Sequence, residues 1–231
     1  MRNGQAAHGD KERIAAFCAG LDFSKGACLG HSNQGEVRRF KAGELDLAIK
    51  TPSGAGPLKW LRRQSLLREW RTYRQLTGVE GFAPCHGLFE HRFLVLDYID
   101  GEDFRRERLK DPEPFFADLL RSIQAMHARG VAHGDLKRKS NLRIDRSGQP
   151  VILDLGTAVL RRASGGWVNR RLFEFARQTD LNAWVKLKYG GYADVSEADR
   201  CYLKRSRLER ALGRLRSLMD RQSLAQRHNK R

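Results

Sequence analysis

Val131-Ala132-His133-Gly134-Asp135-Leu136-Lys137, then Asn141, then Asp154-Leu155-Gly156: the reading of this stretch decides the fold. Taken singly, a His-Gly-Asp tripeptide or an Asp-Leu-Gly after a strand is ordinary turn chemistry. Taken together, they set two carboxylates, an amide and an ammonium in a fixed order, with Asp154 standing 19 positions after Asp135. The intervening residues 141–144 and 151–154 are two short strand candidates around a turn at Arg146-Ser147-Gly148. A helix precedes them: Asp111-Pro112-Glu113-Pro114 is a start signal, Phe115, Leu119, Ile123 and Met126 recur at helical spacing, and Gly130 is a stop.

Phosphoryl transfer from ATP needs an aspartate near the acceptor hydroxyl, a cation on the transferring phosphate and oxygen ligands for a divalent ion, because its catalysis is mostly positioning and electrostatics. Asp135, Lys137, Asn141 and Asp154 offer those groups. Upstream, Gly30-His31-Ser32-Asn33-Gln34-Gly35-Glu36-Val37 lies between strand candidates, and Leu47-Ala48-Ile49-Lys50 follows. A helix is expected over residues 58–76, where Leu66, Trp70 and Tyr73, extended backwards by Leu58 and Leu61, make one apolar stripe. Glu69 sits beside that stripe, 19 positions after Lys50. Residues 92–99 are a further strand candidate, with a turn signal at Asp100-Gly101. By themselves Lys50 reads as a solvated strand-end lysine and Glu69 as a surface glutamate between Arg68 and Arg71.

In this order the motifs resemble the protein-kinase superfamily, whose phosphate loop, lysine strand, catalytic loop and metal motif run G-x-G-x-x-G-x-V, V-A-I-K, H-R-D-L-K and D-F-G. Six motifs cover residues 29 to 156. The resemblance implies an α+β, two-lobed fold and ATP with Mg²⁺ or Mn²⁺ as cofactors. Gly30, Ser32, Gly35 and Val37 would cover the phosphates. Lys50, fixed by Glu69, would position them. The backbone at Asp97 and Ile99, in a segment that looks like the interlobe hinge, would bond the adenine. Asp135 would orient the acceptor hydroxyl, Lys137 neutralise the γ-phosphoryl charge, and Asn141 and Asp154 hold metal.

The chain also departs from the family pattern. Asn141 stands one position later than the family's asparagine, so either the loop has an extra residue or Ser140 takes the metal position; an amide oxygen is the better Mg²⁺ ligand. Gly134 replaces the arginine of H-R-D, so control through a phosphorylated loop is not expected. Beyond Gly156 the sequence holds 75 residues, has no A-P-E motif and runs through a short basic segment, Arg161 to Arg171, which implies a reduced C-lobe. The nearest resemblance is to small atypical bacterial kinases: lipopolysaccharide sugar kinases, RIO-like kinases and minimal Ser/Thr kinases. Asp180 is the candidate for a buried brace under the catalytic loop; alternatively Thr179 or Asp180 is a helix N-cap.

Composition sets the outer limits. The 231 residues are 40% hydrophobic and carry a net charge of +17. The expected organisation is a polar segment over 1–19, an N-lobe over 20–99, a reduced helical C-lobe over 100–196, and a basic helix over 197–231. That last segment carries 11 Lys and Arg against 4 acids, and its stripe of Leu208, Leu212, Leu215 and Met219 fits packing on the C-lobe or a partner. Four cysteines without metal-ligand spacing fit free thiols. No apolar run reaches a bilayer-spanning length and the first residues are polar, so a cytoplasmic protein is expected, peripheral at the inner membrane face if its charge meets anionic lipid. The acceptor is then a protein hydroxyl or, alternatively, a lipopolysaccharide core sugar. The reading of another class is a pseudokinase or nucleic-acid-associated module, although no nucleic-acid-reading motif accompanies the charge.

Overall fold

The structure, a computed structural model, describes residues 8–32 and 35–205. The sequence-predicted stripe of Leu208, Leu212, Leu215 and Met219 lies outside the described residues. Helix α1 (His8–Ala19) leads into strands β1 (Ala27–Ser32), β2 (Gly35–Ala42) and β3 (Leu45–Thr51), then helix α2 (Gly56–Gln75), then β4 (Cys85–Phe89) and β5 (Phe93–Asp97). These five strands form one antiparallel sheet in the order β1-β2-β3-β5-β4. Further on come β6 (Gly101–Asp103), α3 (Pro112–Ala128), β7 (Val131–Ala132), β8 (Leu142–Asp145), β9 (Pro150–Ile152), β10 (Val159–Leu160) and α4 (Gly166–Tyr189).

Strand alternation decides what the sheet covers. Leu47 and Ile49 of β3 and Phe93 and Val95 of β5 pack with Ile14 and Cys18 of α1, whereas Leu94, between the last two, packs against α2. The α2 stripe of Leu66 and Tyr73, with Trp70 partly buried beside it and Leu76 just past the helix end, shares a cluster with Met126 of α3, Val131 of β7 and Leu155. Each such side chain taken fully out of water contributes about 1.5–3 kcal/mol, so this cluster ties the sheet to the helical half of the chain. Its backward extension differs from the expectation: Leu61 is 57% exposed, because the helix's first turns run past the edge of the packed surface.

The helical half has its own core, where Phe104, Phe115, Phe116, Leu119 and Ile123 meet Leu136, Leu142, Ile152 and Trp184. Trp184 is buried and donates its indole N–H to the Phe116 carbonyl at 2.8 Å. Helix α3 ends as its sequence implies, with Gly130 in the left-handed region at φ 70°. The turn signal at Asp100-Gly101 is corrected by the structure: Gly101 begins β6, which pairs with β8. A β-carbon there would lie 2.0 Å from the Ile144 carbonyl oxygen, so the glycine serves close strand approach. The segment expected to be a short basic stretch, 161–171, is helical from Gly166 onward.

The four cysteines are free thiols, and burial pushes Cys18 up to about 11 and Cys85 up to about 12. Among the described residues no helix is long and apolar enough to cross a membrane. The architecture is α+β and compatible with a kinase-like fold.

Candidate active site

Lys50 is 4% exposed, on the α2 face of β3, opposite Leu94 of β5 on one side and Val37 of β2 on the other. Its ammonium lies 2.7 Å from Glu69 Oε2 and 3.0 Å from Asp154 Oδ1. Glu69 reaches it because it stands three residues after Leu66 and four before Tyr73, on the buried stripe of α2. Neither residue is therefore the solvated surface group that its immediate neighbours suggested. Burial alone would lower the Lys50 ammonium, yet two carboxylates against it hold it above its ordinary value. Burial pushes the Glu69 carboxyl up, with Lys50 pulling against that shift. Asp154 is more open: burial would raise it, but the Lys50 charge and hydrogen bond outweigh that and hold it low.

Asp154 adopts φ 57°, a left-handed conformation that costs a β-carbon residue free energy. The turn 155–157 that follows carries Leu155 and Gly156 into the interior, and this anchors the unusual backbone. The β1–β2 hairpin pairs Gly30 with Val37 and Ser32 with Gly35; Asn33 and Gln34 lie outside the described residues. Gly35 is held so close to the Thr51 carbonyl oxygen that a β-carbon would stand 2.0 Å from it. The hairpin's end is thus fixed against the strand that carries Lys50.

At the end of β5, the Asp97 N–H donates to the Pro84 carbonyl at 2.9 Å and Tyr98 N–H to Asp46 at 2.8 Å. Of its two backbone groups Asp97 therefore has only the carbonyl to offer a ligand, while the Ile99 N–H makes no hydrogen bond among the described residues. His86 Nε2 donates to the Asp97 carboxylate at 2.6 Å and fixes that side chain.

The loop after β7 is built around two buried groups. His133, fully buried, donates Nε2–H to the Leu153 carbonyl at 2.9 Å and accepts the Asp135 N–H on Nδ1 at 3.2 Å, which assigns the neutral Nε2–H tautomer. Asp180, fully buried within α4, accepts the His133 N–H at 2.7 Å and the Gly134 N–H at 2.8 Å. His127 of α3 donates to the same carboxylate at 3.0 Å. The alternative of an N-cap at Thr179 or Asp180 is overturned, since α4 begins at Gly166, far upstream of both. His127 was missed by sequence reasoning, because a histidine in a helix's last turn ordinarily complements the helix dipole.

Asn141 is buried and its Nδ2 donates to the Asp135 carbonyl at 3.0 Å, whereas Ser140 is exposed. Leu153 N–H donates to the Asn141 carbonyl at 2.9 Å, holding the Asn141 and Asp154 segments side by side. The amide orientation leaves Asn141 Oδ1 as an acceptor. Like the Asp154 carboxylate, it is a hard oxygen donor of the type that Mg²⁺ takes. Among the described residues no cluster of three His, Cys, Asp or Glu offers an all-protein metal cage. Asp135 is partly exposed, with Arg138 Nη1 3.8 Å from its Oδ2, and Lys137 is half-buried two residues after it.

No family model matches the chain. It is 36% identical over 149 residues to CBL-interacting protein kinase 31 of Oryza sativa subsp. japonica, covering 60% of this chain and 33% of that protein. CBL-interacting serine/threonine-protein kinase 13 of Arabidopsis thaliana is 31% identical over 155 residues, 60% of this chain and 29% of that protein. Serine/threonine-protein kinase KIN4 of Saccharomyces cerevisiae is 26% identical over 152 residues, 57% of this chain and 18% of that protein. The chain thus matches at most about a third of the length of these curated relatives. Likeness of this extent to Ser/Thr protein kinases, on an α+β frame compatible with theirs, supports a place for the chain in the protein-kinase-like superfamily.

Proposed function

We propose that the chain is an ATP- and Mg²⁺-dependent phosphotransferase of the Ser/Thr kinase type, moving the γ-phosphoryl group of ATP to a hydroxyl. The observation that carries this reading is the buried Lys50 ammonium held by Glu69 and Asp154 at once, since it aims a fixed cation at the place where Asp154 would meet a nucleotide's metal. On this reading residues 20–99 form the nucleotide-side lobe and 100–196 a reduced acceptor-side lobe.

On this reading each residue of the site has a role. Lys50 orients the α- and β-phosphates, the β1–β2 hairpin with Gly30, Ser32, Gly35 and Val37 covers them, and the backbone at Asp97 and Ile99 receives the adenine. Asn141 Oδ1 and the Asp154 carboxylate would hold Mg²⁺, which supplies charge neutralisation across the transferring phosphates. Asp135, on a loop fixed by Asp180 and His133, orients the acceptor hydroxyl and takes its proton, while Lys137 meets the developing charge. A protein hydroxyl ranks ahead of a sugar hydroxyl as acceptor, because the relatives described above are Ser/Thr protein kinases.

Transfer from γ-labelled ATP to protein substrates, with Asp135→Asn and Lys50→Met as controls, tests the proposal. Transfer lost in both variants supports it. Equal labelling by wild type and Asp135→Asn would remove Asp135 from the mechanism, and salt-sensitive RNA binding without ATP turnover would favour a binding module.

A further inference from the structure

We infer that the acceptor is an acidic peptide, selected at the phosphoryl-transfer site by Arg138; this rests on the kinase reading given above. Asp135 is followed at once by Lys137-Arg138-Lys139, three consecutive cations on the loop that must receive the acceptor. The backbone of Arg138 is held in place. Its N–H donates to the Asp135 carbonyl at 3.3 Å and its carbonyl accepts the Asn141 N–H at 3.0 Å, so its backbone is pinned on both sides to the two residues around which the chemistry is built. Its guanidinium reaches back to Asp135, Nη1 standing 3.8 Å from Oδ2, with the side chain 65% exposed.

An ion pair so long and so exposed holds its partners weakly. It also occupies the carboxylate that the proposed chemistry turns toward the acceptor hydroxyl, since the guanidinium stands against Asp135 Oδ2. A substrate carboxylate next to the reacting hydroxyl resolves both difficulties. It offers Arg138 a bidentate partner, for which the planar guanidinium is suited, and it releases Asp135 to face the hydroxyl. A neutral peptide leaves Arg138 on Asp135, and a basic one meets the like charge of Lys137, Arg138 and Lys139. The order of preference is therefore acidic, then neutral, then basic.

The test uses the full chain, Mg-ATP and three peptides with one serine each, identical except that the flanking residues are Glu, Ala or Lys. ATP hydrolysis without peptide is measured in parallel. The acidic peptide is expected to show a kcat/KM about tenfold above the neutral one, with an advantage that shrinks as salt rises. Arg138→Ala should bring the two peptides together, and Arg138→Glu should favour the Lys peptide. Equal rates on all three peptides in an enzyme that hydrolyses ATP would overturn the acidic preference while leaving the kinase reading intact. An unchanged Glu-to-Ala ratio in Arg138→Ala would remove Arg138 from selection. Transfer to a phosphorylated sugar and to none of the peptides would overturn the peptide class, and absence of any ATP hydrolysis or transfer would overturn the kinase reading itself.

Discussion

Asp180 Oδ1, buried in the middle of α4, accepts the Gly134 backbone N–H at 2.8 Å, 46 residues away in the chain. The other oxygen of the same carboxylate takes the His133 N–H and the His127 ring N–H. A buried carboxylate with three donors is well satisfied, but its removal leaves the buried His133 N–H and two part-buried donors, the Gly134 N–H and the His127 ring N–H, without acceptors. Asp180→Ala should therefore destabilise the fold by about 3 kcal/mol or more, at roughly 1–3 kcal/mol per orphaned group. Asp180→Asn keeps one acceptor oxygen and should cost less. Urea unfolding of the two variants checks both size and order; an Ala variant as stable as wild type would mean that the loop is held by other contacts.

Lys50, Glu69 and Asp154 form a coupled set, so their substitutions should not add. Lys50→Met leaves two carboxylates facing one another without a cation, at a cost of about 3–5 kcal/mol as for other broken buried pairs. Replacing Glu69 as well, in Lys50→Met/Glu69→Leu, removes the uncompensated buried charge and should recover part of that stability. On the proposed mechanism activity should not return, since the cation assigned to the phosphates is gone. A double variant no more stable than Lys50→Met would show that the pair is not coupled in solution.

The ionisation of these groups sets a pH dependence whose sign is fixed. The Asp154 carboxyl is held low when folded, so its contribution is present above the ordinary value of about 3.9 and is lost as pH falls through the folded value. The Lys50 ammonium is held high, so its contribution is present below about 10.4 and is lost as pH rises through the folded value. Glu69 works against Asp154 in acid, because its carboxyl is pushed up and burying it ionised is least favourable above its folded value. The stability difference between wild type and Asp154→Asn should hold through neutral pH and shrink below about pH 4. A difference that grew in acid would contradict the ion pair.

The sequence carried most of the frame, and the reasons are local. The α2 stripe of Leu66, Trp70 and Tyr73 and the α3 stripe of Phe115, Leu119, Ile123 and Met126 follow the 3.6 period, and their packing into the core, partial for Trp70, is a direct consequence of it. The spacing of Glu69 from Leu66 and Tyr73 likewise puts its carboxylate where Lys50 sits. What was not legible depends on contacts between distant segments. Asp180 had equal standing as a cap or a brace because its partners, His133 and Gly134, come from another part of the chain. His127 carried no local signal at all. Gly101 read as a turn because glycine ordinarily marks one, whereas the crowding at Ile144 that requires it appears only after β6 and β8 pair.

That crowding makes Gly101 a sharp test of the segment joining the sheet to the helical half. A methyl group at this position would stand 2.0 Å from the Ile144 carbonyl oxygen and 2.8 Å from the Asp145 Cα, both backbone atoms that rotamer changes cannot move. Gly101→Ala must therefore part β6 from β8, and also disturb the Arg143 Nη2 donation to the Gly101 carbonyl at 2.7 Å. The cost should be about 1–3 kcal/mol, the range for steric overpacking. If Ile99, two residues away, receives the adenine as proposed, the displacement should also raise the KM for ATP several-fold with a smaller change in kcat. Steady-state kinetics beside thermal unfolding separates the two effects, and a variant with wild-type stability would show that β6 pairs loosely enough to absorb the methyl group.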